Sequence, residues 1–342
     1  MCGRPEVPPL SDGAAFDPST GAWRRIADAP RGLEVVDRSG GASAAVGRAV
    51  YFLASPGHGD RGRVPPALAY SVDRDRWEVL PQPPLRESRP RCRGSGYSIA
   101  AAGNRLVAYA SSDEGAVMRG LVYDPRSSTW ERLPTDPLPR SFDRSMTWSG
   151  DKLILFAKPI ARARDSDRPT LVRAAALDFE AGSWRLLPQS DVLDMEATGR
   201  WFDVGGRVVN PALGRSDGGT VGHWGRSYPE GGILDPNARE WLGLPSRPDR
   251  SEGYPVGGGV MTETGGHYYD YRGWILDMTA DRWIPIPPLD PGAEVTNRTV
   301  LSAGGEMFAF GGARWGRVNG ASGLINEAWI WSPASGGSFG EG

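Results

Sequence analysis

Six tryptophans that recur in one local frame constrain the fold of this chain more than any other feature. They are Trp23, Trp77, Trp130, Trp184, Trp241 and Trp283. An aliphatic residue follows each of them three positions later, and in five copies a proline comes directly after it. Six residues before each tryptophan stands an aspartate, or Ser71 in the second copy, where a capped turn would begin. The successive spacings of 54, 53, 54, 57 and 42 residues indicate a repeat protein.

A second set of signals alternates with the tryptophans. Glycine-containing pairs occur at Gly47-Arg48, Gly103-Asn104, Gly150-Asp151, Gly205-Gly206, Gly265-Gly266 and Gly304-Gly305. Each pair lies between two short apolar runs, as hairpin turns do. The run after the pair is apolar almost throughout, for example Leu153–Phe156, which is typical of an inner strand covered on both faces. Each repeat is therefore predicted to be a four-stranded sheet with its tryptophan on the fourth strand.

Two copies of the repeat carry a recognisable motif. Phe16-Asp17-Pro18 with Trp23, and Tyr123-Asp124-Pro125 with Trp130, resemble kelch repeats, and the resemblance covers nearly the whole chain. It implies an all-β, six-bladed kelch-type β-propeller, in which each anchor tryptophan is structural and packs against the next blade. The double glycine that the family carries after its second strand is kept only at Gly311-Gly312.

The repeat boundaries predict a single domain over residues 1–342. The expected blades are residues 33–81, 92–134, 140–188, 196–245, 253–287 and 295–342, the last completed by residues 10–30. The C-terminal repeat ends without an anchor tryptophan, whereas Ala14–Ile26 carries Trp23 and has no blade of its own. We therefore expect the N-terminal strand to close the last blade and to remove its open edge. Either terminus, through Ala14–Ile26 or Ala328–Trp331, could supply the third strand of that blade.

Composition excludes several functions. The net charge of −2 provides no basic field for nucleic acid, and no apolar run reaches the length of a membrane span. Cys2 and Cys92 cannot form a disulfide framework or a zinc ribbon. No signal peptide is visible, so we expect a cytoplasmic protein, or a secreted protein or lipoprotein if an upstream signal has been removed. Only Lys152 and Lys158 are lysines among 39 basic residues, which is typical of a GC-rich bacterial genome.

The candidate arginines are predicted to lie on one face of the propeller. Connections between blades, and between second and third strands, lie on this face, which we call the loop-rich face. Arginines recur just before successive first strands, at Arg38, Arg93, Arg144, Arg200, Arg250 and Arg298. Guanidinium groups there could hold an anionic or polyhydroxylated ligand in a funnel. Alternatively, they could pair with nearby acids such as Asp143 in a ring of ion pairs between blades.

Four loops on the same face are long. They cover residues 55–66, 158–169, 211–231 and 311–326. Long insertions on one face of a repeat array are typical of a binding face. Trp224 and Trp315 stand outside the anchor frame, so each either covers its own loop or offers a flat surface to a sugar or a partner protein. The candidate ligand-binding residues are therefore Arg144, Arg200, Arg298, Arg226, Trp224 and Trp315.

Catalytic signals are weak. Gly214–Gly218 matches a GxSxG motif but lacks the strand–turn–helix context of a nucleophile elbow. Copper-radical oxidases of the galactose-oxidase kind share the kelch fold and need a tyrosine crosslinked to cysteine, a second tyrosine and two histidines. Cys92 lies near Tyr97, and only His58 and His223 among three histidines reach the loop-rich face. We expect no metal and no cofactor.

The sequence thus favours a non-catalytic binding module. Its expected partner is a glycan, a small anionic ligand or a protein, bound on the loop-rich face. The alternative is a kelch-fold carbohydrate-active enzyme, an isomerase, lyase or oxidase, with its site in the central funnel. Such an enzyme would need an acid–base pair within hydrogen-bond reach.

Overall fold

The protein is an all-β, six-bladed β-propeller, as the sequence predicts. Its structure is a computed structural model. It describes residues 11–30, 43–53, 67–84, 97–110, 120–139, 141–159, 172–188, 201–210, 232–245, 260–261, 266–269, 273–286, 295–296, 298–303, 305–316 and 320–333. These residues contain strands and turns but no helix. They form two compact units, Met1–Gly243 and Leu244–Gly342, whereas the single domain and its predicted blade boundaries stay a prediction.

The first unit contains a hairpin and four antiparallel sheets of four strands each. The hairpin pairs β1 (Gly13–Asp17) with β2 (Ala22–Ile26). The first blade consists of β3 (Ser43–Val46), β4 (Ala49–Leu53), β5 (Ala67–Ser71) and β6 (Arg76–Val79); the second consists of β7 (Tyr97–Ala102), β8 (Arg105–Ala110), β9 (Leu121–Asp124) and β10 (Thr129–Arg132). The third blade consists of β11 (Ser141–Ser149), β12 (Lys152–Pro159), β13 (Arg173–Asp178) and β14 (Ser183–Leu186); the fourth consists of β15 (Phe202–Val204), β16 (Arg207–Asn210), β17 (Gly232–Asp235) and β18 (Glu240–Leu242).

The second unit contains the remaining strands. The fifth blade consists of β19 (Val260–Met261), β20 (His267–Tyr269), β21 (Trp274–Asp277) and β22 (Arg282–Pro285). A small sheet joins β23 (Val295–Thr296) to β26 (Ala313–Gly316) and β27 (Gly320–Leu324). The sheet of the last blade joins β24 (Thr299–Ala303), β25 (Glu306–Phe310) and β28 (Ala328–Trp331).

The last blade takes its third strand from the C-terminal repeat. β28 pairs with β25, and β1 pairs with β2 as a separate hairpin. Of the two candidates for the third strand, the structure therefore uses Ala328–Trp331 in this sheet. Closure of the blade by the N-terminal strand stays a prediction.

The turn between the third and fourth strands has the same construction in successive repeats. The aspartate of the repeat accepts the backbone N–H two residues further on through its Oδ1, at 2.8–2.9 Å. These aspartates are Asp17, Asp124, Asp178, Asp235 and Asp277. The last turn residue has a left-handed backbone, with φ from 46° to 68°, and is Gly21, Asp75, Ser128, Gly182, Arg239 or Asp281. The predicted capping role of the aspartate is confirmed.

The core of the first unit lies between successive sheets. In β12, Leu153 and Leu155 belong to the cluster shared with the second blade, whereas Ile154 and Phe156 belong to the cluster shared with the fourth. All four side chains are fully buried. The ring of Phe156 also stacks on Trp201 of the fourth blade. The prediction that the apolar second strand is covered on both faces is confirmed here.

A repeated hydrogen bond runs from five of the six anchor tryptophans toward the preceding repeat. The indole N–H donates to a backbone carbonyl four positions after the previous anchor, at 2.7–2.9 Å. The donor–acceptor pairs are Trp77–Ala27, Trp130–Pro81, Trp184–Pro134, Trp241–Pro188 and Trp283–Pro245. The structural role of these tryptophans is thereby confirmed, but the predicted direction, toward the next blade, was wrong.

The aliphatic residue and the proline that follow the anchor tryptophan have different structural roles. The N–H of the aliphatic residue extends the pairing of the third and fourth strands, at 2.8–3.0 Å. The pairs are Leu80–Ala67, Leu133–Gly120, Leu187–Ala174 and Ile286–Gly273. Proline then ends the ladder because it has no N–H, while its carbonyl accepts the next indole. The sequence pattern therefore follows from the hydrogen bonds of two successive repeats.

The N-terminal hairpin docks on the first blade through polar contacts. The Ala27 N–H donates to Asp75 Oδ1 at 3.0 Å. Arg24 donates to the Tyr70 hydroxyl and to the carbonyl of Val72, each at 3.4 Å from Nη2. The hydroxyl of Tyr70 donates to Asp75, and this bond, with the N–H of Ala27, lowers the pKa of the Asp75 carboxyl. The N-terminal hairpin is therefore bound by the turn between the third and fourth strands of the first blade.

We expect Arg24→Ala to have a small effect. The side chains of Arg24 and Asp75 are 46% and 47% exposed, so water screens their ion pair, and the free energy of unfolding should fall only slightly. Equilibrium denaturation measures this loss. Arg25→Ala is the control, since Arg25 pairs with Asp28 inside its own segment. A fall in the free energy of unfolding much larger than that of Arg25→Ala would show that Arg24 has a larger role in docking the hairpin.

Candidate ligand-binding face

Each blade of the first unit has short connections between its strands at one end, the tight end, and long connections at the other, the long end. Two residues join the first strand to the second, as between Val46 and Ala49, and four join the third to the fourth. At the other end the connections are much longer, and β17 begins at Gly232 although β16 ends at Asn210. Because the fold is antiparallel, the second-to-third connection and the connection to the next blade leave from the same end. In the first unit, these long ends correspond to the loop-rich face.

Arg144 lies near the long end of β11, between the second and third blades. Its Nη1 donates to Asp136 Oδ1 at 2.9 Å, and its Nη2 donates to the carbonyl of Pro139 at 3.1 Å. The side chains of Arg144 and Asp136 are only 5% and 6% exposed. The hydroxyl of Tyr109, in β8, donates to the second oxygen of Asp136. The guanidinium carbon also lies 5.7 Å from the centre of the Tyr109 ring.

These contacts make Arg144 part of a buried ion pair. Charge-assisted hydrogen bonds are stronger than neutral ones, and removing one partner would leave the other charge buried without compensation. The pair fixes the connection between the second and third blades against both of them. At this position the geometry favours the structural alternative, an ion pair between blades, over direct contact with a ligand.

Sequence reasoning missed Asp136 and Tyr109. Asp136 lies eight residues before Arg144, in a connection where no repeat signal marks it. The available signal was the dipeptide Asp136-Pro137, which has the same turn-forming chemistry as the aspartate–proline pairs of the repeat. Its side chain does cap a turn, because Oδ1 accepts the N–H of Leu138 at 3.0 Å.

Arg298 lies directly before β24 in the second unit. Its guanidinium carbon is 4.2 Å from the centre of the Trp329 ring, in β28, which is a cation–π contact. Trp329 packs against Val300 and Ala309 of the same sheet. A guanidinium held against an aromatic ring can bind carboxylates and phosphates through its edge. Sequence reasoning identified Arg298 but missed Trp329, because nothing in the repeat marks an aromatic residue there.

The fourth long loop has structure of its own. Residues 311–326 contain β26 and β27, which pair with each other. Trp315 lies in β26, and its backbone is paired with Ala321 across a register shift. The connection that was predicted as a long loop therefore contains a small hairpin, and Trp315 lies on its first strand.

The other predicted residues of this face lie outside the described part of the chain. These are Arg200, Arg226 and Trp224, together with Arg38, Arg93, Arg250, His58, His223 and Cys92. His267 is described at the start of β20, where its ring packs edge-on against Trp331. Among the described residues, no group of three or more His, Cys, Asp or Glu side chains could hold a metal ion. No helix in that part of the chain is long and apolar enough to cross a membrane.

No family model matches the chain, and no curated protein matches it. The fold class therefore stands on the structure itself.

Proposed function

We propose that this protein is a kelch-type binding module that recognises a glycan, an anionic ligand or a partner protein on its loop-rich face. One observation carries the proposal. The tight ends of the described blades of the first unit repeat the same short turns, whereas their long ends differ in length from blade to blade. A scaffold that keeps one end constant and varies the other is typical of repeat proteins that bind at the variable end.

The proposed ligand contacts are Arg200, Arg298, Arg226, Trp224 and Trp315. Arginine forks suit carboxylates, phosphates and sugar hydroxyls, and tryptophan rings suit the apolar face of a sugar or a protein side chain. The stacking of Arg298 on Trp329 supports this role, because it presents a preoriented guanidinium next to a first strand. Arg144 supports the face from within, since its ion pair with Asp136 holds one of the connections in place.

A glycan array supplemented with acidic oligosaccharides provides the first test. For the best ligand found, Arg200→Ala and Arg298→Ala should each weaken binding by about tenfold or more, as expected for the loss of charge-assisted hydrogen bonds. Added salt should weaken binding further where the contacts are exposed. Titration calorimetry measures both effects.

Arg126→Ala is the matched control for these variants. Arg126 is an exposed arginine in a tight turn of the second blade, where Asp124 caps only its backbone N–H. Its replacement should leave both affinity and melting temperature unchanged. If Arg200→Ala and Arg298→Ala lower the melting temperature but do not change affinity, the arginines are structural and the proposal fails. Absence of binding to every glycan and acidic oligosaccharide, with no protein captured by cross-linking through this face, would also contradict it.

A further inference from the structure

A cavity of about 180 Å³ lies between the first and second blades, at their tight ends. It is therefore distinct from the loop-rich face. On the first blade its wall includes Tyr51, Ala69 and Glu78, and on the second it includes Tyr123 and Ser128. Every residue of this wall belongs to the described part of the chain.

Small side chains open the cavity. Register places Tyr51, Ala69 and Glu78 side by side across three strands of the first blade. The neighbouring row contains Ala49 and Ser71, which are also too small to reach the second blade. Tyr123 forms the opposite wall from β9. The rings of Tyr51 and Tyr123, whose centres are 6.1 Å apart, bring the two blades into contact beside the cavity.

At two other boundaries an arginine follows the anchor tryptophan, whereas Glu131, Leu242 and Ile284 stand at that position in the remaining repeats. The residue after anchor Trp23 is Arg24, which donates to the Tyr70 hydroxyl and to the carbonyl of Val72. The residue after anchor Trp184 is Arg185, whose Nη2 donates to the carbonyl of Pro236 at 3.0 Å. Val72 and Pro236 hold the same position, the first after the third strand. The repeat thus contains a place for a guanidinium against the turn of the following blade.

At the boundary of the first and second blades, that arginine is replaced by an acid. The residue after anchor Trp77 is Glu78, and the turn position equivalent to Val72 and Pro236 is Pro125. Tyr123 occupies the place that Tyr70 has at the preceding boundary. The tyrosine and the turn residue after the third strand are kept, whereas Ser128 stands at the position of Asp75, which pairs with Arg24.

The two tyrosines of the cavity wall are buried, whereas Glu78 is exposed. Tyr51 and Tyr123 are 6% and 2% exposed, and neither hydroxyl makes a hydrogen bond within the described residues. In the same part of the chain, Glu78 makes no hydrogen bond and no ion pair. Burial raises the pKa of Tyr51, and the nearby Tyr123 and Glu78 raise it further. Buried tyrosines normally hydrogen-bond through their hydroxyls, so these two hydroxyls are available to a ligand in the cavity.

We propose that this cavity binds a guanidinium group supplied by a ligand, in the place that Arg24 and Arg185 fill at other boundaries. The Glu78 carboxylate accepts charge-assisted bonds from it, and the hydroxyls of Tyr51 and Tyr123 accept further N–H groups. Arg74 and Arg76 also line the cavity and suit a carboxylate on the same ligand. The ligand chemistry is therefore that of arginine, either as the free amino acid or as a side chain of a peptide.

Titration calorimetry with four probes tests the proposal. L-Arginine should bind saturably, and L-citrulline, which has the same shape but a neutral urea group, should bind at least about tenfold more weakly. Agmatine lacks the carboxylate, and Nα-acetyl-L-arginine amide mimics an arginine within a peptide. Weaker binding of both than of L-arginine supports the free amino acid as the source, whereas equal or tighter binding of the amide supports a peptide. Failure of all three guanidinium compounds to bind, or equal binding of citrulline, would overturn the proposal.

Variants place the binding in the cavity. Glu78→Gln should weaken arginine binding by at least about tenfold and leave the melting temperature close to that of the unmodified protein. Glu78→Arg should abolish binding, because its own guanidinium would fill the place. The matched control is Glu131→Gln, at the equivalent position after anchor Trp130, and it should leave affinity unchanged. Arginine binding that survives both Glu78 variants, or that falls equally in the Glu131 variant, would contradict the assignment.

Discussion

Replacement of Arg144 by alanine is expected to lower the free energy of unfolding by about 3–5 kcal/mol. The loss arises because Asp136, 6% exposed, would be left buried without its cation. Tyr109 and the N–H of Leu138 would still donate to its carboxylate, but neither carries a positive charge. Chemical denaturation followed by tryptophan fluorescence measures the change.

Two further variants separate this effect from a general loss of charge. Arg48 pairs with Asp73 on the surface, where the side chains are 74% and 54% exposed, so Arg48→Ala should lower the free energy of unfolding far less than Arg144→Ala. The double variant Arg144→Met, Asp136→Leu should recover much of the loss, because apolar residues of similar volume often replace a buried ion pair without penalty. A loss for Arg144→Ala as small as that for Arg48→Ala would show that the ion pair between blades does not matter for stability.

Replacement of Trp130 by alanine is expected to cost about 3–5 kcal/mol, the usual range for removing a large aromatic side chain from a packed interface. Its ring lies 4.9 Å from that of Tyr123, and it packs against the cluster between the first and second blades. Its indole N–H also donates to the carbonyl of Pro81 at 2.7 Å. The variant therefore loses both packing and the bond to the preceding repeat, and equilibrium denaturation measures the loss.

Trp130→Phe separates the contribution of ring packing from that of the hydrogen bond to Pro81. It keeps an aromatic ring but removes the N–H donor, so the loss specific to the hydrogen bond should be about 1 kcal/mol. Trp224→Ala is the comparison in a long connection, outside the anchor frame, and should cost well below Trp130→Ala. Equal losses for Trp130→Ala and Trp224→Ala would contradict the distinction between anchor and loop tryptophans.

The sequence predicted the parts of this fold that repeat. The anchor tryptophans, the capping aspartates and the glycine turns each follow from local chemistry that recurs in most repeats, so a single sequence contains several copies of the same signal. The hydrogen bond from Trp130 to Pro81 was not foreseen, although both residues were identified, because it joins two repeats and no local pattern shows which atoms meet. For the same reason the predicted direction of tryptophan packing was wrong.

The candidate site was less predictable because its residues do not repeat. Arg144 was found by its position before a first strand, but the carboxylate that neutralises it, Asp136, comes from a connection of irregular length. The hairpin that carries Trp315 was missed because glycine-rich segments such as 316–323 have little strand propensity. The cavity beside Glu78 could not be predicted from the sequence. It is recognised only by comparing the residues after three anchor tryptophans, and that comparison requires knowing which atoms an arginine contacts at this position.

The central claim is that the anchor tryptophans join successive repeats through their indole N–H groups. Hydrogen exchange of the indole protons, followed by NMR on protein labelled at tryptophan, tests it most directly. The protons of Trp77, Trp130, Trp184, Trp241 and Trp283 should exchange more slowly than in the denatured chain, because each is bonded to a carbonyl of the preceding repeat. Exchange of these five protons at the rate of the denatured chain would contradict the account.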